Sequence, residues 1–327
     1  MHVWRWLPGT LSPPVAVLHI AHGMAEYGGR YKRLAEKLNE AGIAVYAADQ
    51  RGHGKTADLT INDPGKGGIL GHCVDNDTFG QVCADIDAIN RDIRKAYPDV
   101  PLFLLGHSWG SFIVQHYLEN YDSGSIGGCI LSGTRGPGGL KIRAGGVFLA
   151  LLALICGQRQ GSPLARAAAD GPYSVPFRPN RTDFDWLSRD EAEVDAYIND
   201  PFCGNLCSTG FYRDLTKGLC RIHRNNAMVR IRRDLPIYIF GGNSDPVGEM
   251  GSSPTALVNA YRSLGIADLE FVLYPGARHE TINETNRDEV MDNLLSWICR
   301  HITPEPAAKA ESIDSEKCDS PPATGKR

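Results

Sequence analysis

Three apolar runs in the first third of the chain, each ending in a glycine-containing loop, constrain the fold more than any other feature. VAVLHIAHG, IAVYAADQRGHG and PLFLLGHSWG lack the apolar–polar alternation of a strand exposed on one face, so they read as strands buried on both. Between the first two, RYKRLAEKLNEAG sets Leu34, Leu38 and Ala41 on one helical face before a stop at Gly42. Residues 79–96 carry Val82, Ile86, Ile89 and Ile93 at spacings of three and four, a second helical stripe. SFIVQHYLEN gives a helix after the third strand, and GGCILSG, around Ile130, a further strand. Buried strands alternating with amphipathic helices specify the α/β class, a mostly parallel central sheet flanked by helices.

The alternation lapses after Gly133. It returns with LPIYIFGGNSDPV, a helix near 254–264, the strand in LEFVLYPGARHE, and a last helix bearing Val290, Leu294 and Ile298. One sheet in two parts, 1–134 and 231–302, explains this pattern, with residues 135–230 as an inserted, mainly helical cap. Such an insertion would sit above the C-terminal strand ends, where open α/β sheets bind ligands. From Thr303 onward Pro, Ala, Ser and charge dominate, and 303–327 is expected to be a disordered tail.

Composition removes several alternatives. The net charge is −4 and no long basic run occurs in the core, which argues against nucleic acid as a partner. Nine cysteines, an odd number without framework spacing, read as reduced thiols and a cytoplasmic location. Cys203 and Cys207 have no second pair at matching spacing, so no metal is expected. MHVWRWLPGTLSPP lacks the apolar segment of a signal peptide, and VFLALLALIC falls well short of the roughly 20 residues that span a bilayer. HGMAEYGG is not GxGxxG and GxxxxGK[ST] is missing, so no nucleotide cofactor is implied.

The chemistry is concentrated in GHSWG. Ser108 stands between Gly106 and Gly110, behind a buried strand and ahead of an apolar-faced helix, the strand–turn–helix setting of a nucleophile elbow. A serine hydroxyl needs a base, and the base an orienting acid. Asp245 follows the strand PIYIFGG and His279 follows LEFVLY, giving the chain order serine, acid, histidine with each residue behind a strand. Asp268 is a poor alternative acid because it precedes the strand leading to His279. The oxyanion of an acyl-transfer intermediate would be met by backbone N–H groups of Trp109 and of Met24 in HGMAEY. The side chains of Met24 and Trp109 are expected to line the acyl side of the cleft, and His22 to be structural.

These blocks, HGMAEYGGRY, DQRGHGKT, GHSWGS, RTDFDWLSRDEAEVDAYINDPFCG, GGNSDPVG and PGARHE, occur in order over roughly residues 4–300. The chain thereby resembles the monoacylglycerol lipase and lysophospholipase branch of the α/β-hydrolases, grouped with the serine aminopeptidase-like hydrolases. The resemblance implies a triad of Ser108, Asp245 and His279, with Glu26 and Arg30 bracing the oxyanion loop and Tyr31 packed beneath. It also implies a cap over an apolar acyl tunnel, esters of single acyl chains as substrates, and no cofactor. The chain departs from the family at Tyr27, where histidine is usual, at Ala25, where glycine is common, and at Trp109, where many relatives carry methionine. The family's first edge strand is expected to be missing at the start.

The reaction expected is serine-dependent cleavage of a monoacylglycerol or lysophospholipid type of ester. A short-chain carboxylesterase, an amide or peptide hydrolase, and a non-catalytic lipid-binding protein on a hydrolase shell are the competing readings. Val147 to Ile155, flanked by Lys141, Arg143 and Arg159, packs as core or meets micelle and membrane surfaces peripherally.

Overall fold

The computed structural model describes residues 1–9, 13–61, 69–122 and 124–302, with the side chains of 58–61 and 139–141 left aside. The expected tail, 303–327, and the side chain of Lys141 lie outside the described residues. Seven strands form one sheet: β1 (Val3–Trp6), β2 (Ala16–Ala21), β3 (Ile43–Ala48), β4 (Leu102–His107), β5 (Gly128–Ser132), β6 (Ile237–Gly242) and β7 (Leu269–Tyr274). Their order is β1-β3-β2-β4-β5-β6-β7, parallel throughout except for β1, which runs antiparallel to β3. The edge strand β1 was not placed from the sequence. Trp4 and Trp6 stack on one face at 6.1 Å, and a four-residue strand gives too short an alternation to read.

Helices α1 (Lys32–Glu40), α2 (Gly54–Ile61), α3 (Thr78–Ala96) and α4 (Trp109–Asn120) belong to the first half of the chain. Between β5 and β6 come α5 (Gly139–Cys156), α6 (Pro163–Ala169), α7 (Glu191–Asn199), α8 (Thr209–Ile222) and α9 (Asn225–Met228). The second half adds α10 (Ser252–Ser263) and α11 (Arg287–Ile302). Strand side chains alternate between faces, so neighbours in sequence enter different cores. Val17, Leu104, Leu131 and Ile239 join one core with the inner faces of α3, α4 and α10. Leu18, Leu105, Ile130 and Phe240 join the other with α1 and α11.

Strand order reverses at β2, which lies between β3 and β4. Consecutive loops therefore leave in opposite directions there, and a crevice opens at the strand ends. In the β2–β4 register Ala21 faces Gly106, which brings the loop after β2 beside the turn after β4.

Candidate active site

The turn between β4 and α4 is forced. Ser108 has φ 49° and ψ −120°, a backbone conformation unfavourable for a side-chain-bearing residue. Its N–H is held by the Ser132 carbonyl at 2.9 Å, so β5 fixes the strained residue in place. A Cβ at Gly106 would stand 2.5 Å from the Gly110 carbonyl oxygen, and one at Gly110 would strike the Ala21 carbonyl. Both glycines are thus needed for α4 to pack against β2 and β4.

Asp245 and His279 arrive from the ends of β6 and β7. His279 Nδ1 and Asp245 Oδ2 lie 3.0 Å apart with both residues buried. The Val247 N–H donates to Asp245 Oδ1 at 2.9 Å, fixing the carboxylate plane. Burial lowers the basicity of His279, but the charge and hydrogen bond of Asp245, with Glu280 and Glu26 further off, outweigh it and leave the pKa raised. His107 lies beside it, ring centroids 4.9 Å apart, and burial together with the His279 charge lowers its pKa to about 4. His107 therefore stays neutral. Ser108 and His279 line the same cavity; the described hydrogen bonds include the His279–Asp245 link but none from Ser108 Oγ to His279.

The loop after β2 is fixed by a dense set of hydrogen bonds. Ala25 takes φ 53°, and its carbonyl accepts from the Tyr197 hydroxyl and the Gly204 N–H, each at 2.9 Å. Glu26 Oε1 accepts from the Gly23 N–H at 2.5 Å and from the Tyr31 hydroxyl at 2.9 Å. Arg30 donates to Glu26 Oε2 at 2.8 Å and, through both terminal nitrogens, to the Glu280 carboxylate at 2.7 and 2.8 Å. One guanidinium thus ties the Met24 loop to the residue after His279. Burial opposes its charge, yet the two carboxylates hold the Arg30 pKa well above its ordinary value. The N–H groups of Met24 and Trp109 have no partner among the described hydrogen bonds.

His22 donates from Nδ1 to the Gly23 carbonyl at 2.8 Å and accepts the Gln50 N–H on Nε2 at 2.9 Å, while burial lowers its pKa to about 4. Both ring nitrogens are used within the scaffold. Asp49, at the end of β3, accepts from the Trp4 indole and the Gly28 and Lys55 N–H groups at 2.8 to 2.9 Å. It fastens the edge strand.

A cavity of about 580 Å³ lies above Ser108 and His279. Its walls combine Met24, Trp186, Leu187 and Leu206 with Arg166 and Asp170, so it is more polar than an apolar tunnel. Asp170 accepts a hydrogen bond from the Tyr212 hydroxyl at 3.1 Å, and burial raises its pKa to about 6. Trp186 covers His279 with ring centroids 5.2 Å apart, and the Trp186 and Leu187 carbonyls receive the His279 and Glu280 N–H groups.

The Trp109 side chain corrects the sequence reading. It lines no part of this cavity and is 1% exposed, set between Phe79 and Phe211 with its indole N–H on Gln50 Oε1 at 2.9 Å. Ser108 is the elbow, and the next residue begins α4 with its side chain turned into the core. Sequence reasoning also missed Glu280, Trp186, Tyr197 and Asp170. For Glu280 the signal was present, an acid directly after the histidine and two acids sharing one arginine. The other three lie in the inserted segment, Tyr197 on the short α7 and Trp186 and Asp170 outside its helices, where too few turns repeat for periodicity to mark a face.

The solved structure of a thermostable carboxyl esterase from Bacillus coagulans in complex with glycerol superposes with a TM-score of 0.82 at 28% identity, covering 92% of this chain and 94% of that one. The fold is that of the α/β-hydrolases. The family described as serine aminopeptidase, S33, matches residues 12–286, and the chain belongs to it. A monoacylglycerol lipase of Mycolicibacterium smegmatis is 29% identical over 300 residues, 91% of this chain and 92% of its own length. The monoglyceride lipase of Homo sapiens is 30% identical over 306 residues, 90% of this chain and 84% of its own length.

Proposed function

We propose that this hydrolase cleaves carboxylic esters of single acyl chains, of the monoacylglycerol or lysophospholipid type, through an acyl-enzyme on Ser108. The observation that carries the reading is the 3.0 Å hydrogen bond of Asp245 with His279, which lines one cavity together with a serine on a strained elbow. Asp245 keeps the proton on Nδ1, so Nε2 of His279 is the basic nitrogen. Ser108 Oγ attacks the ester carbonyl while Nε2 takes its proton. The oxyanion then meets the N–H groups of Met24 and Trp109, held in place by Gly23–Glu26–Arg30 and by the helix start. His279 returns the proton to the leaving alcohol, and water attacks the acyl-serine by the same route.

Residues 135–230 act in this reading as the cap, tied to the oxyanion loop by Tyr197 and Gly204 and to the histidine loop by Trp186 and Leu187. Arg166 and Asp170 suit a hydroxylated leaving group, and Met24 with Leu206 suits the acyl end. No helix among the described residues is long and apolar enough to cross a membrane. On α5, Val147, Phe148, Leu151, Leu154 and Ile155 are exposed at helical spacing, which supports peripheral contact with lipid surfaces. Eight free cysteines among the described residues fit a cytoplasmic setting.

The test is covalent. A fluorophosphonate probe is expected to add once to the protein, as read by intact mass, and not to Ser108→Ala. Labelling that survives the substitution would place the nucleophile elsewhere.

A further inference from the structure

A second cavity of about 590 Å³ lies between the start of α3, α5 and α8 and shares no lining residue with the first. Its apolar lining is Phe79 and Ala150 inside, with Val147, 63% exposed, at the mouth. Gly218 lets α8 pack directly on the Phe79 ring, which a Cβ there would strike. Phe79 also meets the Trp109 indole edge-on, ring centroids 4.9 Å apart.

The rim is basic. Arg213, Lys217 and Arg221 recur every four residues and so share one face of α8, with Arg224 just beyond and Arg143 opposite on α5. Arg213 is engaged by Asp214 at 2.8 Å and by Gln158. Arg221 reaches Asp77 at 3.4 Å, and its buried Nε has no partner. Asp214, besides Arg213, accepts from the Thr78 hydroxyl at 2.8 Å. Both acids of the wall are thus committed, whereas Arg143, Lys217 and Arg224 have no ion-pair partner among the described residues. Five cations against two carboxylates make a positive recess on a chain of net charge −4.

We infer that this cavity binds a single-chain fatty-acid anion, its carboxylate among Lys217, Arg224 and Arg143 and its chain along Phe79, Val147 and Ala150. A neutral lipid would leave the cations unmatched, and an inorganic anion would leave the apolar lining in water. The volume falls within the roughly 300–1,000 Å³ of small-ligand sites. A membrane headgroup fits less well. Arg143, Gly146 and Ala150 follow one helical face toward α8, with Gly146 against Thr216, while the outward stripe of α5 runs from Val147 at the mouth through Leu151, Leu154 and Ile155. The inference does not depend on the chemistry at Ser108.

Dodecanoate carrying a diazirine near its methyl end, irradiated with the full chain below the micelle threshold, is expected to label peptides containing Phe79 or Val147–Ala150. By calorimetry, dodecanoate should bind about tenfold or more weakly to Lys217→Glu/Arg224→Glu, since each reversal replaces attraction by repulsion. Ala150→Phe, which fills the apolar interior, should weaken it similarly while keeping the rim. Labelling confined to peptides around Met24 and Ser108, or unchanged affinity in the folded variants, overturns the inference. Dodecanol binding as tightly as dodecanoate would also overturn it, by removing the carboxylate. So would loss of phosphatidylglycerol-vesicle binding in the charge variants when the wild type takes up no dodecanoate, which would make the rim a membrane contact.

Discussion

His279 carries two opposing influences, burial that disfavours its charge and Asp245 that favours it, and the second prevails. A base of raised pKa is protonated, and idle, over a wider acidic range. Hydrolysis as kcat/KM is therefore expected to fall with decreasing pH through a pKa above the ordinary histidine value of about 6.5. In Asp245→Asn the raising partner is gone and burial remains, so the limb should move to lower pH while the rate drops on the order of 10⁴-fold. A limb that stays in place would mean that another acid serves the histidine. Glu280 makes a second residue-scale case. Arg30 is a largely buried cation shared by Glu26 and Glu280, so Glu280→Gln leaves its charge under-compensated. A loss of about 3 kcal/mol in urea unfolding is expected, by the usual cost of breaking a buried pair. The triad candidates were legible in the sequence because each follows an apolar strand, and strand ends are where a parallel sheet gathers its loops. The direction of the Trp109 side chain was not legible, because it depends on which face of α4 meets Phe79 and Phe211, a tertiary matter.

At the scale of elements, the elbow and the inserted segment obey different rules. Gly110 belongs to the packing of α4 on the sheet, and any side chain there must push the helix off the Ala21 and His22 carbonyls. Gly110→Ala is expected to cost at least the roughly 1–3 kcal/mol of an overpacked core, seen as a lowered Tm. Helix α5 separates its two roles residue by residue. Leu152 is 9% exposed and Leu151 is 54% exposed, though they are neighbours in a run whose sequence is apolar all round. Leu152→Asp buries an unpaired charge and should lower thermal stability in any assay. Leu151→Asp should leave the Tm near its starting value while reducing sedimentation with lipid vesicles. Unchanged vesicle binding would mean that the outward stripe of α5 is not a lipid contact. Nothing in VFLALLALIC distinguishes these two leucines, because an all-apolar helix hides its own orientation; the division appears only once α8 covers one side.

Across the whole molecule, the proposed mechanism makes substrate range depend on what surrounds Ser108, and the packing of Trp109 bears on it. A tryptophan beside the proposed nucleophile, if it lined the acyl pocket, would narrow it to medium chains of about eight to twelve carbons, where a deeper pocket would pass sixteen or eighteen. The indole instead occupies the core beneath α4, so it takes no room from the 580 Å³ cavity bounded by Met24, Leu206 and the segment between β5 and β6. Each acyl methylene that leaves water for an apolar wall contributes up to about 0.8 kcal/mol, roughly a fourfold gain in kcat/KM. Along an ester series kept below each micelle threshold, kcat/KM is thus expected to climb past acetate and butyrate until the wall is covered, then flatten. Trp109→Met is expected to lower the Tm, through loss of the Phe79 and Phe211 contacts and the Gln50 hydrogen bond, without moving the chain length at which the climb ends. Leu206→Trp, within the cavity wall, should move that break to shorter chains. If Trp109→Met shifts the break while Leu206→Trp does not, the acyl chain runs beneath α4 and the cavity above Ser108 receives only the leaving alcohol.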